Sequence, residues 1–160
     1  KTLCLGAEKL GFDLFTVTDH FMNMPNPDGP DKHPLECWST LAGLAAVTSK
    51  IKLGSLVSCY YYRHAPVLAK MATTIDIISN GRLIFGIGAG WHEKEFNGYF
   101  GRFPPVKERM KGLEETVQIC KSMFTHERTS FAGKLCQIDN VLNFPKLVQK
   151  PIPIMVLGGS

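Results

Sequence analysis

The sequence predicts an α/β fold with a parallel sheet, and two observations lead to this class. Short apolar runs rich in β-branched residues alternate with longer stretches in which apolar residues recur every three or four positions. Such alternation is typical of parallel sheets that are covered by helices. The 160 residues are enough for one domain with its own core. A doubly wound sheet and an eight-fold barrel both fit the alternation; because a full barrel takes about 250 residues, the chain would form roughly half of one.

The predicted elements follow one another along the chain. Leu3, Ala7 and Leu10 have helical spacing, and Gly11 stands where a helix C-terminus favours glycine. Aromatic and β-branched residues predict the strands, while Ser-Asn-Gly at 79–81 predicts a turn. A small hairpin is predicted over 131–138. The helices are predicted over residues 3–10, 38–48, 66–78 and 106–124, and the strands over residues 12–20, 51–59, 82–90 and 153–157.

Composition excludes several classes of protein. Hydrophobic residues make up 44% of the chain and charged residues 20%, which excludes intrinsic disorder. No apolar run approaches the roughly 18 residues that would cross a bilayer. The net charge of +4 is spread along the chain, without a block of like charges. We therefore expect neither a nucleic-acid nor a membrane partner.

The cysteines and histidines give no metal or disulfide pattern. Five widely separated cysteines include no Cys-x-x-Cys pair, which indicates a reducing, cytoplasmic setting. The five histidines lack metal-ligand spacing, and Glu93 and Glu95 beside His92 are interpreted as a solvated helix start. We expect no metal site. Because the chain has no initiator Met and no signal-peptide pattern, it is expected to begin inside a larger protein.

The pair Asp19 and His20 ends the first predicted strand. In parallel α/β folds, ligands gather at the carboxyl ends of strands. A histidine there can exchange protons near neutral pH, and a neighbouring acid can orient it. The pair could equally be a helix-capping aspartate beside a surface histidine.

Gly86, Gly88 and Gly90 share one face of a predicted strand. Trp91 occupies the last position of a Gly-x-Gly-x-x-Gly pattern, so the dinucleotide fingerprint fails. A bare face leaves space in a close-packed interior, and either a bound planar ring or another backbone could fill it.

Polar residues interrupt the second predicted strand near its end. Ser55 and Ser58 predict a bulge there, and the absence of a Gly-x-Ser-x-Gly elbow argues against a hydrolase. The tyrosines at 60–62 are interpreted as a cover over the barrel. Arg63 is interpreted as an ion-pair partner at a helix start.

Eight segments in order resemble the bacterial luciferase-like monooxygenase superfamily, over essentially the whole chain. The pattern is most similar to the branch of oxidoreductases that use the deazaflavin coenzyme F420. The segments are GFDLFTVTDHF (11–21), WSTLAGLAAVT (38–48), IKLGS (51–55), RHAPVLAK (63–70), IISNGRL (77–83), GIGAGW (86–91), EFNGYFGRFP (95–104) and PIMVLGG (153–159).

This resemblance implies a (β/α)8 TIM barrel, of which residues 1–160 are one partial domain holding strands 2 to 5. A flavin or deazaflavin would lie across the C-terminal mouth, with coenzyme F420 favoured over FMN. His20 would be the catalytic residue that moves the proton accompanying hydride transfer, and a non-prolyl cis peptide is expected at Leu56–Val57. The implied cofactor-binding residues are Asp19, Ser55, Leu56, Val57, Ser58, Gly88, Ala89, Gly90, Trp91, Gly158 and Gly159.

Two alternatives accompany this hypothesis. One is a monooxygenase that uses FMNH2 and oxygen on paired donors; the other is a non-catalytic flavin-binding relative. The substrate is expected to be a small molecule, and the full-length protein is expected to be a homo-oligomer, a dimer. The family's phosphate-binding loops belong to later strands, so we expect the chain alone to bind cofactor weakly.

Overall fold

The computed structural model describes residues 1–23 and 33–157, and its elements alternate as the sequence predicts. The order is α1 (Thr2–Lys9), β1 (Leu14–Val17), α2 (Cys37–Ala45), β2 (Lys52–Ser55), β3 (Ser58–Cys59), α3 (Ala65–Ile78), β4 (Leu83–Gly88), α4 (Glu93–Phe100), α5 (Val106–Thr125), β5 (Arg128–Ala132), β6 (Gln137–Leu142) and β7 (Ile154–Leu157).

The main sheet is parallel, and the spatial order of its strands follows their order in the sequence. β1 pairs with β2, β2 and β3 pair with successive parts of β4, and β4 pairs with β7 along its other edge. A doubly wound sheet reverses its strand order at a switch point, whereas a barrel does not. The sequential order therefore identifies a segment of a (β/α) barrel. Within the described residues, β1 and β7 are its open edges.

The core lies between this sheet and helices α2, α3 and α5. Phe85 of β4 is fully buried, and its ring lies 5.8 Å from Trp38 and 5.6 Å from Phe124. The alternate residues Leu83 and Ile87 are buried on the same face, which confirms that the bulky side of this strand packs against helices. None of the described helices combines the length and the apolar character needed to cross a membrane.

Several predicted boundaries change in the structure. The strand predicted over 51–59 is two strands, because β2 ends at Ser55 and β3 begins at Ser58. The peptide bond Leu56–Val57 between them is cis, as predicted. The first strand is shorter than predicted, and of helix α4 only the start beside His92 was predicted. In α1 it is Cys4 that is buried, while Leu3 and Leu10 are exposed.

The hairpin of β5 and β6 is antiparallel and longer than predicted. The buried carboxylate of Glu115 on α5 organises its turn. It accepts hydrogen bonds from the backbone amides of Lys134, Leu135 and Cys136 at 2.8–3.0 Å. A tertiary contact thus defines where the hairpin turns.

The bare face of β4 is filled by neighbouring protein. A Cβ atom on Gly86 would lie 1.9 Å from the carbonyl oxygen of Ser55. On Gly88 it would lie 2.8 Å from both the carbonyl oxygen of Leu157 and a methyl carbon of Val57. Close backbone approach therefore explains why these two positions carry no side chain, which is the second of the two alternatives that the sequence left open.

This packing predicts that Gly86→Ala destabilises the protein. The new methyl group would displace backbone, and overpacking of this kind costs about 1–3 kcal/mol. The matched control is Gly43→Ala on the exposed face of α2, where nothing lies within 4 Å of the new Cβ. Alanine there should stabilise the helix by about 0.5–1 kcal/mol. Denaturant unfolding of both variants in the complete protein would measure the difference, and equal stabilities would contradict the analysis.

Candidate functional site

A cleft of about 610 Å³ opens where the parallel strands end. It brings together most of the residues predicted from the sequence, although these are scattered between positions 19 and 91. Its lining consists of Asp19, His20, Leu56, Val57, Ser58, Cys59, Tyr62, Gly88, Ala89, Gly90, Trp91, Phe103, Val106, Arg109, Met110 and Leu157. Ser55 lies behind this lining, fully buried, and Gly158 and Gly159 lie outside the described residues.

His20 is held by a buried carboxylate. Its Nδ1 lies 2.8 Å from Oε2 of Glu95, which has no exposed surface. Oε1 of Glu95 accepts the backbone amides of Phe21 and Met22 at 2.5 and 2.9 Å, and the hydroxyl of Tyr62 donates to Oε2. Burial opposes ionisation of Glu95, but the hydrogen bonds from His20, Tyr62 and these amides outweigh it and lower its pKa to about 2. Glu95 does lie in the first turn of α4, as the sequence indicated, but it is buried and not solvated, whereas Glu93 is exposed.

Asp19 takes part in a buried ion-pair network. Arg63 donates to both of its carboxylate oxygens, at 2.6 and 2.9 Å, and the amide of Cys59 donates at 3.3 Å. Arg63 also donates to Glu36, which caps α2 through the amides of Trp38 and its neighbour. This confirms Arg63 as an ion-pair partner at a helix start, and Asp19 fixes that arginine rather than capping a helix.

The polar residues around the cis peptide are held by buried hydrogen bonds. The hydroxyl of Ser55 donates to the carbonyl of Gly86 at 2.8 Å. The hydroxyl of Ser58 accepts from the indole of Trp38 at 2.7 Å. Between them, Leu56 is partly exposed toward the cleft. Both hydroxyls are therefore engaged in buried hydrogen bonds, and the two serines fix the shape of the cleft wall.

Gly90 turns the chain from β4 toward α4. Its φ of +74° is left-handed, and a Cβ atom there would lie 2.6 Å from Sγ of Cys59 and 2.7 Å from the ring of Phe96. Trp91 follows at the exposed rim, with its ring 5.9 Å from that of His20. The tight turn thus brings the start of α4 against His20.

Arg109 on α5 is a cleft residue that sequence reasoning missed. Its side chain is 9% exposed and its guanidinium lies 4.1 Å from the ring centroid of Phe103. Nε and Nη1 are buried and have no hydrogen-bond partner among the described residues. The sequence did contain one signal for its burial, because Arg109 stands beside Met110 and near Leu113, which are apolar positions of the predicted helix. A buried guanidinium with free donors suits a phosphate or carboxylate.

The described residues contain no group of three or more histidines, cysteines, aspartates or glutamates that could hold a metal ion. His92 lies near His20, with 6.2 Å between the ring centroids, and stacks on Trp91. These rings shape the rim of the cleft.

The buried network predicts that Arg63→Ala is strongly destabilising. Removal of one partner leaves the carboxylate of Asp19 buried without its main donor, which costs about 3–5 kcal/mol. The control is Arg102→Ala, because the pair of Arg102 with Glu108 is exposed and such pairs contribute at most about 1 kcal/mol. Unfolding free energies of the two variants would be compared, and a similar small loss in both would refute the structural role of Arg63.

The comparisons with known proteins agree with this geometry. The chain is 31% identical over 155 residues to an F420-dependent glucose-6-phosphate dehydrogenase of Kineococcus radiotolerans, covering 96% of the chain and 44% of that protein. It is 32% identical to pyrimidine monooxygenase RutA of Agrobacterium fabrum, covering 100% of the chain and 44% of that protein. A solved F420-dependent secondary alcohol dehydrogenase, in complex with an F420-acetone adduct, superposes with a TM-score of 0.85 at 20% identity, covering 97% of the chain and 46% of that structure.

The chain spans about half the length of these relatives, and the described residues form about half of a TIM barrel. The family model of the luciferase-like monooxygenases matches residues 1–160, which is the whole chain. The chain therefore belongs to the luciferase-like monooxygenase family.

Proposed function

We propose that this chain forms the catalytic half of an oxidoreductase that uses coenzyme F420, with His20 as the residue that exchanges a proton with the substrate. The observation that carries the proposal is the placement of His20 at the cleft, with Nδ1 bound to Glu95 and Nε2 left without a partner among the described residues. The similarity to F420-dependent glucose-6-phosphate dehydrogenases supports the choice of cofactor.

The cleft has the features that a deazaflavin would need. Its size falls within the roughly 300–1,000 Å³ of ligand pockets. The backbone of Gly88, Ala89 and Gly90, together with the side chains of Leu56 and Val57, offers an apolar wall for a ring. Arg109 offers unpaired donors for the phosphate group that both F420 and FMN carry. Asp19 lines the same cleft, but its oxygens already bind Arg63.

The protein's own contribution is positioning and proton transfer. When bound, the cofactor supplies or accepts the hydride. Nε2 of His20 takes the proton that the substrate loses, or returns it in the reverse direction. The exposed side chain of Trp91 and the partly exposed Met110 flank the cleft and would limit water access to a bound substrate. The substrate is a small molecule in this proposal, and the complete enzyme is a cytoplasmic homodimer.

A second candidate is a monooxygenase that uses reduced FMN and oxygen. The similarity to pyrimidine monooxygenase RutA, which extends over the whole chain, favours it. Deazaflavin is inert toward oxygen, so the two candidates differ in oxygen consumption. Titration of the complete protein with F420 and with FMN, followed by oxygen measurement during turnover, separates them. A non-catalytic relative would bind a cofactor and show neither activity.

His20→Ala in the complete enzyme should lower kcat by about 10²–10⁴, as expected for the loss of a general acid or base. The dissociation constant of the cofactor should change far less, because backbone and apolar contacts form most of the cleft wall. The assay uses a substrate found by screening small hydroxyl compounds, beginning with glucose 6-phosphate. His126→Ala is the control, since His126 lies outside the cleft at the end of α5. Near wild-type turnover in His20→Ala would remove His20 from the mechanism.

Arg109→Ala should weaken binding of the complete cofactor by tenfold or more, about 1.4 kcal/mol. The expected loss depends on the phosphate, because hydrogen bonds from the guanidinium to an anion are stronger than those to a neutral acceptor. The matched ligands are therefore FMN against riboflavin, and F420 against its deazaflavin chromophore without the phosphate. Equal weakening of the phosphorylated and unphosphorylated ligands would show that Arg109 acts on the shape of the cleft and not on the anion.

A further inference from the structure

We propose that Glu95 is the positioning residue of His20: it accepts the Nδ1 proton and thereby makes Nε2 the nitrogen that exchanges protons in the cleft. The inference rests on the proposed function, in which His20 performs that exchange. The inference assigns a role in the site to Glu95, which lies on helix α4, 75 positions after His20 in the sequence.

The hydrogen bonds of Glu95 leave its carboxylate no freedom to rotate. Oε1 accepts two backbone amides, those of Phe21 and Met22, which can act only as donors. Oε2 faces Nδ1 of His20 and receives the hydroxyl of Tyr62. Because Phe21 and Met22 directly follow His20, one carboxylate holds both the imidazole and the backbone that carries it.

The protonation states of these groups decide the tautomer of His20. An ionised carboxylate is an acceptor only, and the lowered pKa of Glu95 keeps it ionised at neutral pH. Burial and the hydrogen bond to Glu95 raise the pKa of Tyr62, so its hydroxyl keeps its proton and donates. The contact between Nδ1 and Oε2 therefore requires a proton on Nδ1. In the neutral imidazole the lone pair then lies on Nε2.

No other carboxylate competes for His20 in the described part of the chain. Asp19, its neighbour in sequence, has its two oxygens bound by Arg63. The rings of Trp91 and His92 lie at 5.9 and 6.2 Å from the His20 ring and contribute no charge when His92 is neutral. Glu95 is thus the group that sets the orientation of the imidazole.

Glu95→Gln tests the proposal because it changes one atom and almost no volume. The two backbone amides require the remaining oxygen at the Oε1 position, so the new NH2 group occupies the Oε2 position. From there it donates to Nδ1 and moves the histidine proton to Nε2. In a Ser-His-Asp protease, the corresponding Asp→Asn change acts through the wrong tautomer and lowers kcat by about 10⁴. Here we expect a fall in kcat of about 10²–10⁴, with little change in KM or in cofactor affinity.

The readouts are kcat, KM and the tautomer itself. The complete protein is labelled with ¹⁵N-histidine, and long-range ¹H–¹⁵N correlation spectra at a pH where the ring is neutral identify which nitrogen of His20 carries the proton. The expected result is the Nδ1-H form in the wild type and the Nε2-H form in Glu95→Gln. Glu95→Asp keeps a carboxylate and should retain the Nδ1-H form and more activity than Glu95→Gln. If Glu95 only filled space, Glu95→Gln would be more active than Glu95→Asp, because glutamine matches the size of glutamate better than aspartate does.

Glu115→Gln is the control variant. Glu115 is also a buried carboxylate that binds backbone amides, but it lies at the hairpin and not at the cleft. It should change stability without changing the tautomer of His20 or kcat. An Nε2-H tautomer in the wild type would overturn the proposal, and this measurement needs no variant to fold. Loss of activity in His20→Ala with unchanged activity in Glu95→Gln would also overturn it, whereas full activity in His20→Ala would contradict the proposed function instead.

Discussion

The close approach of the chain after β2 to strand β4 is the constraint on which the rest of this structure depends. β4 pairs with β2 through its first residues, with β3 through its last, and with β7 along the opposite edge. Where the chain between β2 and β3 passes β4, it leaves no room for a side chain on that strand. Gly86 and Gly88 meet this requirement, because the carbonyl of Ser55 and the side chain of Val57 occupy the space that a Cβ atom would need. The wall of the cleft is therefore a direct result of backbone packing in β4.

The same strand also determines the surroundings of His20. Gly90 continues the series with a left-handed conformation and packs against Cys59 and Phe96, which directs α4 back toward the strand ends. Phe96 is fully buried, so the preceding residue Glu95 is carried into the interior beside His20. Burial of a charge is costly unless its hydrogen bonds are satisfied, and Glu95 accepts four donors. The packing around β4 thus influences the position of the His20 imidazole, because it sets the turn at Gly90 and the direction of α4, which carries Glu95.

The sequence predicted features that are local or that repeat, and it missed those that depend on distant partners. The parallel sheet, the turn glycine Gly11 and the ion-pair role of Arg63 follow from short patterns, and the Leu56–Val57 cis bond from resemblance to a family. The burial of Glu95 was missed because Trp-His-Glu-Lys-Glu is a common solvated helix start, while its four donors lie at least 33 positions away. Arg109 was missed because an arginine in a helix is usually exposed. Phe96 and Phe100 were the unused signal, since apolar residues four positions apart predict one apolar helix face.

The distribution of charge in the cleft leaves few groups free to act on a ligand. Asp19 is neutralised by Arg63, and the carboxylate of Glu95 is fully hydrogen-bonded. Cys59 lines the cleft, but burial raises the pKa of its thiol to about 12, so it stays uncharged near neutral pH. Among the described cleft residues, the guanidinium of Arg109 is a cation with unpaired donors, and Nε2 of His20 has no hydrogen-bond partner. In the proposed function, Arg109 would bind an anionic group of the ligand and His20 would exchange its proton, and these two groups are contributed by different elements of the fold.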